Sequence, residues 1–223
     1  AIIHLGGAGI GDKRWTKKRK MLIQKSREKS TTLLSDTISN LKKKPEVFLI
    51  ASAIGYYGNR GDEELTEDSK PGEGFLTETV LAWEKYAKSA KDAGVRVINI
   101  RTGIVLSATG GALQRMLLPW KLGAGGSIGG GKQWMSWISL DDQIFAINHL
   151  IMNKECEGAY NLTSTNPVRQ KEFSRTLGKV LWRPAFAPIP KFPMRILFGE
   201  LAGPLLFEGQ KVIPEKLIQS GFK

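Results

Sequence analysis

EVFLIASAIGYYG, residues 46–58, decides the architecture. Residues 46–51 form a continuous apolar run, so the strand they predict is buried on both faces. From Ser52 the text turns to serine, glycine and tyrosine, and a loop rich in Gly, Asp and Glu runs to about Gly74. Loops of that length in a compact domain are usually functional or covering elements. Two similar strands flank this one. AIIHL at 1–5 is stopped by Gly6-Gly7, and VRVINI at 95–100 runs into Arg101-Thr102-Gly103.

Helical patterns fill the gaps. One helix is expected over 12–41, with Asp12 as N-cap, Trp15, Leu22, Ser26, Leu33 and Ile38 near helical spacing, and Pro45 as its stop. A second is expected over 77–93, offering Leu81, Trp83, Tyr86 and Ala90 for packing, with Gly94 just past its end. Strand, helix, strand, loop, helix, strand is the order of an α/β fold with a parallel sheet. Right-handed crossovers place the loops at Gly6–Gly11, Ser52–Gly58 and Arg101–Val105 at one edge, the carboxyl ends of the strands, where open sheets bind ligands.

The second half has a different texture. Helices are expected at 112–122, 141–153 and 172–181 and a strand at 159–163, with the glycine-rich GAGGSIGGG at 123–131 and a proline-marked tail from Pro184 through Pro188, Pro190 and Pro193. This predicts a main domain at 1–103 and a smaller mixed lobe at 104–223, with residues 141–163 returning to the main sheet.

Composition narrows the classes. Hydrophobic residues at 41% and charged residues at 24% suit a chain that buries a core rather than a disordered one. No run approaches the roughly 18–20 apolar residues of a membrane span, and the opening residues lack a basic region, so neither a membrane protein nor a secretory leader is expected. Cys156 is the sole cysteine, which excludes an intrachain disulfide and a cysteine-based metal cluster; a reducing, cytoplasmic setting is the expectation. His4 and His149 are far apart in sequence, and no metal site is expected. The net charge of +12 is concentrated at 12–44, from Lys13 and Arg14 through Lys42, Lys43 and Lys44. Aromatic residues are not interleaved with this charge, which favours a solvated helix face over a nucleic-acid platform.

HLGGAGIGDKRWT at 4–16, SAIGYYG at 52–58, WE at 83–84, RTGIVLSATGGAL at 101–113, MLLPWKLGAGGSIGGGKQWMSWISLDD at 116–142 and FEGQKVIP at 207–214 occur in an order and spacing that resembles the atypical extended short-chain dehydrogenase/reductases of the "epimerase family protein" branch. The resemblance covers nearly the whole chain. It implies a doubly wound, Rossmann-like nucleotide-binding domain with a small C-terminal lobe. It also implies NADP(H) as cofactor, with NAD(H) the alternative, and a small-molecule substrate. It further implies about sixty residues ahead of Ala1, forming a strand, a Gly-rich turn and a helix that hold a pyrophosphate, so the domain is expected to be N-terminally incomplete.

By the same resemblance, the turn at His4-Leu5-Gly6-Gly7 lies along the cofactor, and small residues there let backbone approach a ribose or phosphate. Relatives with intact chemistry use Ser, Tyr and Lys, with Tyr and Lys one helical turn apart so that the cation lowers the phenol's pKa. Here the Tyr and Lys positions fall at Leu76 and Val80, and the Ser position at Ala53 with Ser52 beside it.

The candidate site follows. Ser52, Tyr56 and Tyr57 are the candidate catalytic residues. Leu5, Gly6, Gly7, Ala8, Ser52, Ala53, Arg101, Thr102 and Gly103 are the candidate cofactor contacts. Arg14, Trp15, Trp134 and Trp137 are the candidate substrate contacts. Arg14 can also serve a helix-start salt bridge, Arg101 a buried ion pair, and the tryptophans plain core. Asp141 and Asp142 are expected to cap a helix. Glu208, Gln210 and Lys211 fit the resemblance without a derivable role. The functional expectation is an oxidoreductase or epimerase-like protein acting on a small carbonyl or sugar-like compound. The alternative is a catalytically degenerate cofactor-binding sensor or interaction protein.

Overall fold

The computed structural model describes residues 1–185 and 188–223. The first half runs β1 (Ile2–His4), α1 (Lys17–Asn40), β2 (Val47–Ala53), β3 (Glu64–Leu65), α2 (Phe75–Lys85), α3 (Lys88–Asp92) and β4 (Arg96–Thr102). The second runs β5 (Ile104–Leu106), α4 (Gly111–Lys121), β6 (Trp134–Met135), β7 (Trp137–Ser139), α5 (Leu140–Met152), β8 (Gly158–Leu162), β9 (Val168–Arg169), α6 (Gln170–Val180), α7 (Lys191–Phe198), β10 (Lys211–Val212) and α8 (Glu215–Gln219).

Four strands make the main sheet in the order β1-β2-β4-β8, all parallel. The fold is α/β and Rossmann-like, with the sheet covered on both faces. Val47 and Leu49 of β2 pack with Ile98, Ile100, Ala146 and Leu150 on one side. Phe48 and Ile50 pack with Ile38, Trp83, Ala87 and Ala90 on the other. That two-sided burial is why residues 47–51 of β2 are apolar at every position instead of every second one. α5 and β8 complete the sheet, β8 lying beside β4. The remaining strands form three two-stranded pairs, β5 with β7, β6 with β9 and β10 with β3, the last tying the C-terminal segment to the loop after β2.

Some elements differ from expectation for physical reasons. α1 starts at Lys17, capped by Thr16, whose hydroxyl accepts from the Arg19 amide. Asp12 instead pairs with Arg115 and Arg19. The buried stripe of α1 is Ile23, Arg27, Thr31, Ser35 and Ile38, while Leu22 and Leu33 are exposed, Leu33 at 68%. Small hydroxyl residues on that stripe let α1 approach α2 and α3 closely. Trp83 Nε1 donates to Thr31 at 3.0 Å and the Ala90 amide to Ser35 at 2.9 Å. The helix expected at 77–93 is two pieces that break at Tyr86 and Ala87. α5 is capped by Ser139, whose hydroxyl accepts from the Asp142 amide, so Asp141 and Asp142 occupy the first turn rather than the cap. Among the described residues no helix is long and apolar enough to cross a membrane.

Candidate functional site

Parallel pairing sets Ser52 beside Arg101 and Arg101 beside Asn161, so three polar side chains from β2, β4 and β8 stand in a row near the strand ends. A hydrogen-bond chain joins them. Ser52 Oγ donates to Glu84 Oε1 at 2.6 Å. Arg101 holds the same carboxylate with two bonds, Nε to Oε1 and Nη2 to Oε2, each 2.9 Å. Arg101 Nη1 reaches the Tyr57 hydroxyl at 3.2 Å and the Glu67 carbonyl at 3.3 Å. Tyr57 in turn donates to Asn161 Oδ1 at 2.7 Å. Tyr56 stacks its ring on the guanidinium, 3.4 Å from Cζ to the centroid. Glu67 closes the chain by accepting from the amides of Asn161, at 2.9 Å, and Lys216.

This network is sealed. Tyr57 is fully buried, and burial pushes its phenol up to about 12, so it is neutral throughout the physiological range. Hydrogen bonds and the charge of Glu84 hold Arg101 protonated, its pKa raised despite desolvation. The hydroxyls of Ser52 and Tyr57, both candidate catalytic groups, donate to Glu84 and Asn161, and Arg101 forms an ion pair with Glu84. Tyr57→Phe is expected to lower stability by about 1–3 kcal/mol, because Asn161 and Arg101 each lose a partner out of reach of water. The native phenol has the raised pKa, so the stability it adds is present below its ordinary value of 10 and is lost as pH rises toward 12. Denaturation curves between those values should fall less steeply for the phenylalanine variant than for the parent.

A cavity of about 210 Å³ lies at the carboxyl edge beside the network. Ala53 at the end of β2 with Ile54 and Gly55 beyond it, and Thr102 at the end of β4 with Gly103 beyond it, form its floor. Leu76, Thr79, Val80 and Trp83 of α2 form one wall, Arg27 of α1 and Ile10 another, and Trp134, Ser136, Leu205 and Glu208–Gln210 from the second half of the chain cover it. Leu76 and Val80 therefore stand inside the cavity, with aliphatic groups where the resemblance expects Tyr and Lys. A second cavity of about 500 Å³ adjoins it through Ile104, Trp134, Leu205 and Glu208, and is lined further by Met116, Met135, Phe198 and Leu201. Glu208 borders both cavities, and among the described residues its carboxylate makes no ion pair.

The turn after β1 is built for close approach. Leu5, Gly6 and Gly7 are exposed, Ala8 donates its amide to Ser26 at 3.0 Å, and a Cβ on Gly7 would stand 3.1 Å from Arg27 Cζ. His4 is buried beneath, bonded to Ser30 at 3.0 Å, and burial lowers its pKa. Gly209 faces a stricter limit, since a Cβ there would lie 2.1 Å from the Trp134 carbonyl oxygen.

Of the expected substrate contacts, Trp134 walls both cavities, with its indole donating to Asp62 at 2.9 Å. Trp15 packs edge-on against Phe75 and donates to the Ile10 carbonyl. Arg14 bonds the Leu197 carbonyl at 2.8 Å, tying the first loop to α7. Trp137 lies within β7, paired to Ile104 of β5. Arg27 reaches the first cavity without having been singled out in the sequence, and Glu208, which fitted the resemblance without a role, reaches both. Arg27 was concealed in a basic run, although it sits four residues from both Ile23 and Thr31 on one helix face. Among the described residues no group of three or more His, Cys, Asp or Glu is placed to hold a metal ion.

Comparison with known proteins bears on this site. Residues 1–163 match the model of the NAD dependent epimerase/dehydratase family, and 189–223 match a domain of unknown function. The epimerase family protein YfhF of Bacillus subtilis is 39% identical over 222 residues, spanning 99% of this chain and 72% of its own. An epimerase family protein of Staphylococcus haemolyticus is 41% identical over 223 residues, spanning 99% of this chain and 74% of its own. The crystal structure of human epimerase family protein SDR39U1 with NADPH superposes with a TM-score of 0.94 at 32% identity, over 99% of this chain and 76% of that one. UDP-glucuronic acid 4-epimerase from Bacillus cereus shares the fold at 16% identity, TM-score 0.74, over 97% of this chain and 65% of that one.

Proposed function

From the premise that the chain belongs to the NAD dependent epimerase/dehydratase family, we propose that it binds a nicotinamide dinucleotide along the carboxyl edge of the sheet. There it acts as an oxidoreductase or epimerase-like enzyme on a small carbonyl or sugar-like compound in the adjoining cleft. The observation that carries this reading is the pair of joined cavities at that edge, floored by Ala53 and Gly103 and roofed by the C-terminal lobe. The residues present fit such a cofactor. Gly6 and Gly7 leave backbone exposed, the 210 Å³ cavity is open to the strand ends, and a buried guanidinium beside it has an unpartnered Nε.

Leu5–Ala8, Ala53, Thr102 and Gly103 would hold the cofactor, which supplies hydride exchange when bound. The NADPH bound by the 32% identical human relative favours NADP(H) over NAD(H) here. Ile54, Leu76 and Val80 exclude water from the reacting face, and the Trp134 indole orients the substrate. Ser52 and Tyr57 act at one remove, by fixing Glu84, Arg101 and Asn161 and so the positions of Ala53 and Thr102. Glu208 is the carboxylate placed to hold or move a proton in the cleft.

Native mass spectrometry of the full-length protein, together with NADPH titration followed by nicotinamide fluorescence, tests the reading. One dinucleotide per chain is expected. No adduct and no titration with NADPH or NADH would remove the cofactor from the account. A second reading, a cofactor-binding sensor, is favoured by the aliphatic side chains of Leu76 and Val80 in the cavity. It is supported if NADPH binds yet a broad panel of carbonyl compounds elicits no oxidation.

A further inference from the structure

Arg96 and Arg101 show what a satisfied arginine in this fold looks like. Arg96 donates to four main-chain carbonyls around the end of α5, and Arg101 grips Glu84 with two bonds. Arg27 is different. It is 6% exposed on the buried stripe of α1. Its Nη1 donates to the carbonyls of Ala8 at 3.1 Å and Ile23 at 3.0 Å, and its Nε, also buried, donates to nothing among the described residues. Its Cζ lies 4.5 Å from the Trp83 ring centroid. Among the described residues no carboxylate pairs with it. Glu208 borders the same cavity but lies beyond ion-pair distance.

A guanidinium stays protonated at neutral pH, so the fold buries a positive charge that has no counter-charge among the described residues. Burial alone acts on it, in the direction that disfavours the charge. An apolar side chain of the same length would pack there at lower cost. A buried cation facing a cavity is retained to advantage when its counter-charge arrives with a ligand. The cavity of about 210 Å³ has room for an oxyanion and several waters, each water taking about 30 Å³. The guanidinium fork matches phosphate and carboxylate oxygens better than a point charge does.

We infer that Arg27 anchors an oxyanion site in this cavity, taking a phosphate or carboxylate group of a bound small molecule between the Gly6–Ala8 turn and Trp83. The site stands on its own geometry and does not depend on which dinucleotide binds. Its oxyanion comes either from a phosphate of the dinucleotide or from the substrate.

The test uses the full-length protein with inorganic phosphate as probe, read by melting temperature and by tryptophan emission with Trp83→Phe as control. Phosphate should raise the melting temperature of the parent and perturb the Trp83 signal. Arg27→Met should need at least about tenfold more phosphate for the same shift, with Arg27→Lys in between. Without phosphate, Arg27→Met should melt at the parent's temperature or higher, because it loses an uncompensated charge. A parent that ignores phosphate overturns the inference, and so does an Arg27→Met variant that responds to it as the parent does. Competition between phosphate and NADPH assigns the oxyanion to the dinucleotide, and simultaneous binding assigns it to the substrate. Loss of NADPH binding with an intact phosphate response would sink the cofactor reading and leave the oxyanion site standing.

Discussion

Arg101→Met is expected to lower the unfolding free energy by about 3–5 kcal/mol, the cost of removing one member of a buried ion pair. The side chains of Arg101 and Glu84 are 6% and 15% exposed, so water replaces the lost partner poorly. Glu84 would remain as a buried carboxylate held only by Ser52, and the Tyr57 hydroxyl would keep Asn161 alone. For a chain of this size the loss corresponds to a fall in melting temperature of about 10 °C. Urea titration measures it directly, and the double variant Arg101→Met with Glu84→Leu supplies the decisive comparison. If the pair acts as described, removing both charges restores much of what one removal costs. A single variant within about 0.5 kcal/mol of the parent would mean that the pair is not buried in solution.

Glu208→Gln is expected to act in the opposite place and manner. Glu208 lines both cavities, and among the described residues its carboxylate makes no ion pair, so the amide should fold with little change in melting temperature. Turnover should fall by about 10²–10⁴-fold, the usual contribution of a positioned proton carrier. NADPH affinity should hold, which separates a chemical role from a binding one. Turnover within twofold of the parent would remove Glu208 from the mechanism and return attention to Tyr56, whose ring stacks on Arg101.

The sheet was legible because its strands are short apolar runs with clear stops, and burial on both faces leaves little freedom in reading them. The edge where the cavities open followed from the order of elements alone. The site's chemistry was less legible. Ser52, Tyr57 and Arg101 carry the residue types of a reacting centre; strand register sets Ser52 beside Arg101 at Glu84, and the turn after β2 carries Tyr57 to Asn161. Register between β2, β4 and β8 is a long-range property that no local pattern states. Arg27 was obscured for a related reason. In a helix with eleven other basic residues in and around it, only the buried stripe distinguishes it, and that stripe carries Thr31 and Ser35 where an apolar pattern would be sought. Glu208 is brought to the cavities by a segment more than a hundred residues along the chain from β4.

The chain of bonds from Ser52 through Glu84, Arg101 and Tyr57 to Asn161 crosses three adjacent strands and ties each to the next. Amide protons near the ends of β2, β4 and β8 should therefore exchange with solvent together, through one cooperative opening near the global unfolding limit. α7 has no fully buried residue and should exchange much sooner, through a smaller local event. The floor of the cleft thus behaves as a rigid anvil, and whatever motion admits and releases small molecules falls to its cover.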